Sequence, residues 1–187
     1  MQVESTPVQG VLIVTPKKHG DERGFFSETF KYSQLAAHGV GHGWLQDNHS
    51  MSGKRGTVRG LHFQAPPRAQ AKLIRVVSGA ILDVAVDIRK GSPTYGRHVA
   101  IELSSDNWRQ LYVPVGMAHG FCTLSDRVEV LYKTSDEYAP EAEGGVLWCD
   151  AALGINWPVS RSEATVNARD AAWQTLAELD SPFAFGG

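Results

Sequence analysis

Hydrophobic and polar positions alternate along this chain in short runs. The sharpest case is Ala80–Ile88, where Leu82, Val84, Val86 and Ile88 share one face of an extended segment and Asp83 and Asp87 share the other. That period of two is the signature of a strand. Similar runs at Val11–Thr15, Gly24–Thr29, Leu45–Ser50, Thr57–Gln64, Ala71–Val77, His98–Leu103, Arg109–Val113, His119–Leu124 and Val128–Thr134 predict further strands. Nineteen glycines and nine prolines are spread over the whole length, which suits many short strands joined by turns. Gly79 fits a tight turn between two runs, and Ser92-Pro93 and Pro114-Val115-Gly116 read as loops. Helical spacing is sparse. Tyr32–Ala37 supports a short turn of helix, and Ala172, Leu176 and Leu179 predict a C-terminal helix over Ala168–Leu179. Ten short strands with one or two small helices predict an all-β sandwich or jelly roll ending in a short helical segment.

At 187 residues the chain has the size of one ordinary domain, taken here as residues 1–187, and no repeat or linker divides it. Apolar residues make up 42% and charged residues 20%, a globular composition. The net charge of -2 argues against a nucleic-acid partner, because such domains carry a strong basic excess. No stretch approaches the ~18 apolar residues of a membrane span, so no membrane partner is expected. The first ten residues are polar and broken by Pro7, unlike a signal peptide. Cys122 and Cys149 match neither a disulfide framework nor a CxxC metal site. These features predict a cytoplasmic protein.

Seven histidines invite a metal reading. The segments Gly56-Thr57-Val58-Arg59-Gly60-Leu61-His62-Phe63-Gln64 and Pro114-Val115-Gly116-Met117-Ala118-His119 have the frame of the two cupin motifs. However, Gln64 stands where a second ligand histidine belongs, and no Glu occurs between Gln64 and Gly79. Two histidines and an amide make a poor divalent site, so no metal is expected. With no GxGxxG or P-loop present, no cofactor is expected either. An unligated histidine lining a barrel is free to move protons. His62 shares a face with Gln64, and Lys72 and Tyr132 lie on neighbouring strand candidates. A base, a cation and a phenol converging in a barrel are the parts of a proton-transfer site.

The chain resembles the dTDP-4-dehydrorhamnose 3,5-epimerase family of metal-free cupins. The resemblance rests on Asp21-Glu22-Arg23-Gly24-Phe25-Phe26-Ser27-Glu28, Gln46-Asp47-Asn48-His49-Ser50, Arg59–Gln64, Lys72–Val77, Asp83–Arg89 and Ser92–Gly96. It continues through Pro114–Phe121, Leu131-Tyr132-Lys133-Thr134 and Gly154-Ile155-Asn156-Trp157-Pro158, and covers roughly Val8 to Leu179. It implies a homodimeric jelly-roll enzyme that converts dTDP-4-dehydro-6-deoxy-D-glucose to dTDP-4-dehydro-L-rhamnose without a cofactor. It implies His62 as general base, Tyr132 as general acid, Asp170 as the carboxylate orienting His62, and Lys72 at the site. Nucleotide-sugar contacts carry over to Arg23, Glu28, Gln46, Asp47, Asn48, Arg59, Lys72, His119 and Glu143, with Tyr138 stacking near the substrate. Arg169-Asp170 stands where the family usually shows Lys-Asp, so Arg169 takes the cation's position with a different geometry. Glu137 replaces a commonly aromatic residue and Met117 a common Phe. Related epimerases of C3 or C5 alone, a 3,4-ketoisomerase, a metal-dependent oxygenase and a sugar-nucleotide sensor remain alternatives.

These residue types suit the implied chemistry. Protons on C3 and C5 are acidic only because both carbons flank the C4 ketone. Epimerisation needs a base on one face, a group to hold the enolate oxygen, and an acid on the other face. His62 paired to Asp170, Lys72 and Tyr132 supply these in turn. Arg23 and Arg59 suit diphosphate oxygens, which guanidinium grips in a fork. Asp83 and Asp87 are expected to form structural ion pairs with Arg75 or Arg89.

Overall fold

The structure, a computed structural model, describes residues 1–41 and 43–186. In chain order the strands are β1 (Gln2–Ser5), β2 (Leu12–Thr15), β3 (Lys18–Asp21), β4 (Gly24–Ser27), β5 (Gln46–Ser52), β6 (Val58–Gln64) and β7 (Lys72–Ser78). They continue with β8 (Ala80–Asp87), β9 (His98–Ser104), β10 (Gln110–Val113), β11 (Met117–Thr123), β12 (Val128–Thr134) and β13 (Glu143–Gly145). One short helix, α1 (Tyr32–Ala36), follows β4. All ten strands expected from the alternation form, with ends shifted by a residue or two. The three not expected, β1, β3 and β13, are three or four residues long and almost without apolar side chains, so no alternation marks them.

Two antiparallel sheets face each other in a cupin-type jelly roll. One has the order β1-β2-β10-β7-β12-β5, the other β13-β6-β11-β8-β9, and β3 and β4 form a separate hairpin. The chain passes from β7 in the first sheet to β8 in the second through Gly79, whose φ of +76° suits glycine. Ile74, Val76, Ile81, Ala85, Leu111, Phe121 and Val130 pack in the core between the sheets. Leu35 and Val40 pack with Leu73 and Tyr112 over the back of the first sheet. Val146, Trp148, Leu153, Leu179 and Phe183 cover the back of the second.

That covering layer corrects the expected helix over Ala168–Leu179. Only a 3-10 turn, Asp170–Ala172, forms there, and Trp173 is extended. The backbone of this stretch closes only isolated local turns, and between them it bonds to the body of the protein: Leu147 N–H donates to Gln174 O at 2.8 Å, and Leu176 N–H donates to Asp150 Oδ2 at 2.8 Å. Leu176 and Leu179 join the apolar cluster behind the second sheet along an irregular path. Tertiary hydrogen bonds outweigh a weak local helix preference.

Both faces of β8 are buried. Val84, Val86 and Ile88 lie under the C-terminal layer, while Ile81 and Ala85 lie between the sheets. The alternate face holding Asp83 and Asp87 therefore points into the barrel, and both carboxylates are fully buried.

Candidate active site

A cavity of about 380 Å³ opens between the sheets on the side where β5 edges one and β13 and β6 edge the other. Strand alternation explains what each element contributes. Gln46, Asn48 and Ser50 come from β5, Lys72 and Ile74 from β7, His119 and Phe121 from β11, and Val130, Tyr132 and Thr134 from β12. Arg59, His62 and Gln64 of β6 and Glu143 of β13 share the second sheet with His119 and Phe121 and face the β5, β7 and β12 residues across the cavity, while Tyr138 and Arg169 line it from loops and Asp170 from the 3-10 turn.

Arg59 and His62 are three residues apart, and a regular strand would turn them to opposite faces. The β6–β11 register slips between them: His62 pairs with His119, but Arg59 pairs with Phe121. The irregularity sits at Gly60, with φ +125°, where a Cβ would stand 2.5 Å from Gly120 Cα. Only glycine fits this close approach, and the resulting bulge brings both side chains to the cavity.

Asp170 ties the bulge to the histidine. Gly60 N–H donates to Asp170 Oδ2 at 3.0 Å, and His62 Nε2 lies 2.9 Å from Oδ1. An ionised carboxylate only accepts, so His62 carries its proton on Nε2 and leaves Nδ1 as a proton acceptor. Burial would raise the Asp170 carboxyl, but the bonds from His62 and Gly60 win and hold it below the usual range. Asp170 N–H donates to Asn167 Oδ1 at 2.7 Å, which starts the 3-10 turn. Trp173 stands 6.4 Å from the His62 ring. Asn167 and Trp173 were not singled out in the sequence; the Asn-x-x-Asp spacing of a capping turn was the available signal for the first.

On the facing sheet, burial pushes the Lys72 ammonium down to about 8, although the charges of Asp83 and Glu143 oppose that shift. Burial raises the Tyr132 phenol, so Tyr132 is a neutral donor at pH 7. His119 Nε2 lies 2.8 Å from Asp83 Oδ1, a pairing that corrects the expected ion pair of Asp83 with Arg75 or Arg89. Asp87 does pair with Arg89, at 2.7 Å.

At the mouth, Tyr138 Oη donates to Glu143 Oε2 at 3.0 Å, and Arg169 Nη1 binds the same oxygen. Tyr138 N–H donates to Gln46 Oε1 at 2.9 Å, and Gln46 Nε2 donates to Asn48 Oδ1 at 2.8 Å. Arg59 Nε donates to Ser52 Oγ at 3.1 Å across the gap between the sheets. Gln64 is committed to the backbone: its amide nitrogen donates to Arg68 O and Glu137 O, and its oxygen accepts from Ala139 N–H. The described residues contain no group of three or more His, Cys, Asp or Glu side chains set to hold a metal ion.

Three expected site residues lie away from this cavity. Asp47 is on the outward face of β5, bound to Lys133 at 2.8 Å. Arg23 sits on the β3–β4 hairpin, exposed and paired with Asp21. Glu28 pairs with Lys31 just after that hairpin.

The family model described as dTDP-4-dehydrorhamnose 3,5-epimerase matches residues 5–178. The dTDP-4-dehydrorhamnose 3,5-epimerase of Shigella flexneri is 52% identical over 161 residues, which cover 85% of this chain and 88% of the relative. A crystal structure of the enzyme of that name from Bacillus anthracis str. Ames, with TDP and PPi bound, superposes with a TM-score of 0.90 at 45% identity, covering 93% of this chain and 98% of the other. The dTDP-6-deoxy-D-glucose-3,5-epimerase of Legionella pneumophila, in complex with dTDP-4-keto-L-rhamnose, gives a TM-score of 0.91 at 40% identity over 96% of this chain and 94% of its own. Sequence and fold agree along nearly the whole length, and the chain belongs to the dTDP-4-dehydrorhamnose 3,5-epimerase family.

Proposed function

We propose that this protein epimerises C3 and C5 of dTDP-4-dehydro-6-deoxy-D-glucose, giving dTDP-4-dehydro-L-rhamnose for L-rhamnose synthesis. The observation that carries the reading is the opposition of His62 on one sheet to Tyr132 and Lys72 on the other. A base and an acid on opposite sides of a cavity are what inversion at carbon requires.

In each inversion, Nδ1 of His62 takes the proton from a carbon beside the ketone. The C–H electron pair moves into the ring and the carbonyl π pair onto the C4 oxygen. The Lys72 ammonium holds that oxyanion in the low-dielectric barrel. Tyr132 then delivers its phenolic proton to the opposite face of the same carbon. The proton on His62 returns to Tyr132 through solvent, and the site is reset. Asp170 orients His62 and stabilises the imidazolium while it lasts. No electron leaves the substrate, so the route calls on no redox cofactor, and Lys72 supplies the positive charge at the enolate oxygen.

For the nucleotide, Gln46, Asn48, Arg59, His119, Glu143 and Arg169 line the cavity, with Tyr138 at the mouth. Arg23, Glu28 and Asp47 do not line this chain's own cavity. We infer that the working unit is a homodimer in which the hairpin bearing Arg23 reaches the partner's cavity. Phe25 and Phe26 on that hairpin are 57% and 68% exposed, which suits burial against a second copy. Residues 1–187 act as one catalytic domain, since the C-terminal layer both covers the second sheet and supplies Asp170. Two free cysteines fit a reducing cytoplasm.

Proton NMR of the reaction in deuterated water tests the function. Two carbon-bound deuteriums, at C3 and C5, are expected in the product. One deuterium would make this a single-site epimerase, and none would refute enolate chemistry.

A further inference from the structure

Asp83 is a costly residue to keep. It is fully buried in the middle of β8, and its neighbours on the same face, Ile81 and Ala85, belong to the apolar core. Replacing an ionised carboxylate there by an aliphatic side chain would remove a desolvation penalty. Asp87, two residues beyond Ala85 on that face, shows what a structural carboxylate looks like: Arg89, Ser92 and Thr94 all bond it. Asp83 differs. Its Oδ1 accepts from His119, but its Oδ2 is buried with no hydrogen-bond partner. Lys72, the nearby cation, forms no ion pair or hydrogen bond with the described residues, so its ammonium is free for a ligand.

We propose that Asp83 is a positioning residue of the epimerisation site, fixing the His119 ring with one oxygen and serving with the other as the counter-charge that keeps Lys72 ionised inside the barrel. The proposal rests on the role given to Lys72 above. Burial alone drives the Lys72 ammonium toward its neutral form, and a neutral amine is a weak partner for an enolate. The carboxylate offsets that drive from behind, without occupying the ammonium's donors. Through Nε2 it also sets the tautomer of His119, whose Nδ1 is left to accept from a sugar hydroxyl.

Other charged and titratable groups face Lys72 as well. His62 and Arg59 project from β6, His119 from β11, Tyr132 from β12, Glu143 from β13, and Arg169 and Asp170 from the C-terminal layer. Of these only Glu143 joins Asp83 in raising Lys72. Glu143, however, is shared with Tyr138 and Arg169 at the mouth, whereas Asp83 has no cation bonded to it.

The test compares wild type, Asp83→Asn and Asp83→Glu. The pH dependence of kcat for solvent-deuterium incorporation is measured alongside titration of Lys72 in protein labelled with ¹³C at lysine Cε, its signal assigned by loss in Lys72→Arg. In the wild type Lys72 titrates at about 8. Asp83→Asn moves that midpoint and the alkaline fall in rate to lower pH. The ratio of its rate at about pH 8 to that at about pH 6 then drops roughly fivefold or more below the wild-type ratio. Asp83→Glu keeps the charge and restores the limb. A purely structural role would lower the rate by one factor at every pH, and an unmoved limb or midpoint overturns the proposal.

Should Asp83→Asn fail to fold, a second variant decides. In Asp83→Ser, which also removes the charge, the Lys72 midpoint again moves to lower pH; an unmoved midpoint overturns the proposal. These titrations need no turnover. Absence of any exchange by wild type would refute the functional reading while the pairing of Asp83 with Lys72 is still measured.

Discussion

Asp170 is fastened to Gly60 as firmly as to His62: one carboxylate oxygen accepts the amide of the bulge at 3.0 Å and the other accepts the imidazole at 2.9 Å. A single side chain thereby fixes the backbone irregularity that turns His62 into the cavity and the tautomer that makes its Nδ1 basic. Its own position comes from the C-terminal layer, 108 residues further along the chain than His62.

Asp170→Asn separates these duties. The carboxamide oxygen can still accept from Gly60, so the bulge survives, but its NH₂ group then faces His62. The ring must turn its acceptor toward that donor, and Nδ1 takes up the proton. The rate should fall by about 10²–10⁴, while thermal stability drops only slightly, by about 1 kcal/mol. Kinetics and thermal melts on the same preparation check this. A variant within a few-fold of wild type would show that Asp170 does not set the tautomer.

The sheet was legible because alternation over five or more residues survives any register, and His62 was legible through its company with Gln64, Lys72 and Tyr132. The bulge was not. Arg59 and His62 share a face only because of a register slip that depends on Gly120 of another strand. For Asp83 the sequence offers only nearby charge, Arg75 or Arg89, as a partner; its actual partner, His119, arrives from the adjacent strand β11. The helix over Ala168–Leu179 failed for a related reason, since apolar spacing cannot reveal that Leu147 and Asp150 will claim the backbone of that stretch. Asp47 followed its motif neighbours Gln46 and Asn48 in the reading, whereas strand alternation puts it on the outward face.

Asp87 governs acid stability. Burial would raise its carboxyl, but Arg89, Ser92 and Thr94 hold it down to about 2 from an ordinary 3.8. A carboxyl depressed on folding stabilises the native state above its unfolded value, and that stabilisation is lost as pH falls through the folded one. About 2 kcal/mol should therefore disappear between about pH 4 and pH 2. Urea unfolding across that range should show a shallower acid dependence in Asp87→Asn, which is also less stable at neutral pH. An identical slope in both proteins would assign the acid loss to other carboxylates.

The shared-site dimer predicts complementation. Arg23→Ala and His62→Ala homodimers should each be nearly inactive, the first for lack of a nucleotide contact and the second for lack of a base. Mixing them under conditions of subunit exchange should restore activity, because one cavity of each heterodimer draws its hairpin from one parent and its base from the other, leaving that cavity intact. At full exchange half the dimers are mixed, so about a quarter of wild-type activity is expected from random pairing. No recovery despite exchange, demonstrated by mass-tagged subunits, would show that Arg23 serves its own chain's cavity or none.

Tyr132→Phe examines the acid. The phenol is held protonated by burial and stands on β12, in the sheet facing His62. Phe keeps the ring against Ile74, which is opposite Tyr132 in the β7–β12 register, so the packing cost is small. Deprotonation by His62 should continue, and solvent deuterium should enter carbon by way of the imidazolium. The enolate is then reprotonated from the His62 face and returns to its starting configuration. Exchange should exceed inversion by about 10²–10⁴, the contribution of a positioned general acid. Were Tyr132 only a packing residue, exchange and inversion would be unaffected or would fall together. One time course in deuterated water, followed by proton NMR for exchange and by the ring coupling constants for inversion, measures both. Parallel loss would remove Tyr132 from the acid role and leave a water molecule or another side chain to protonate the face opposite His62.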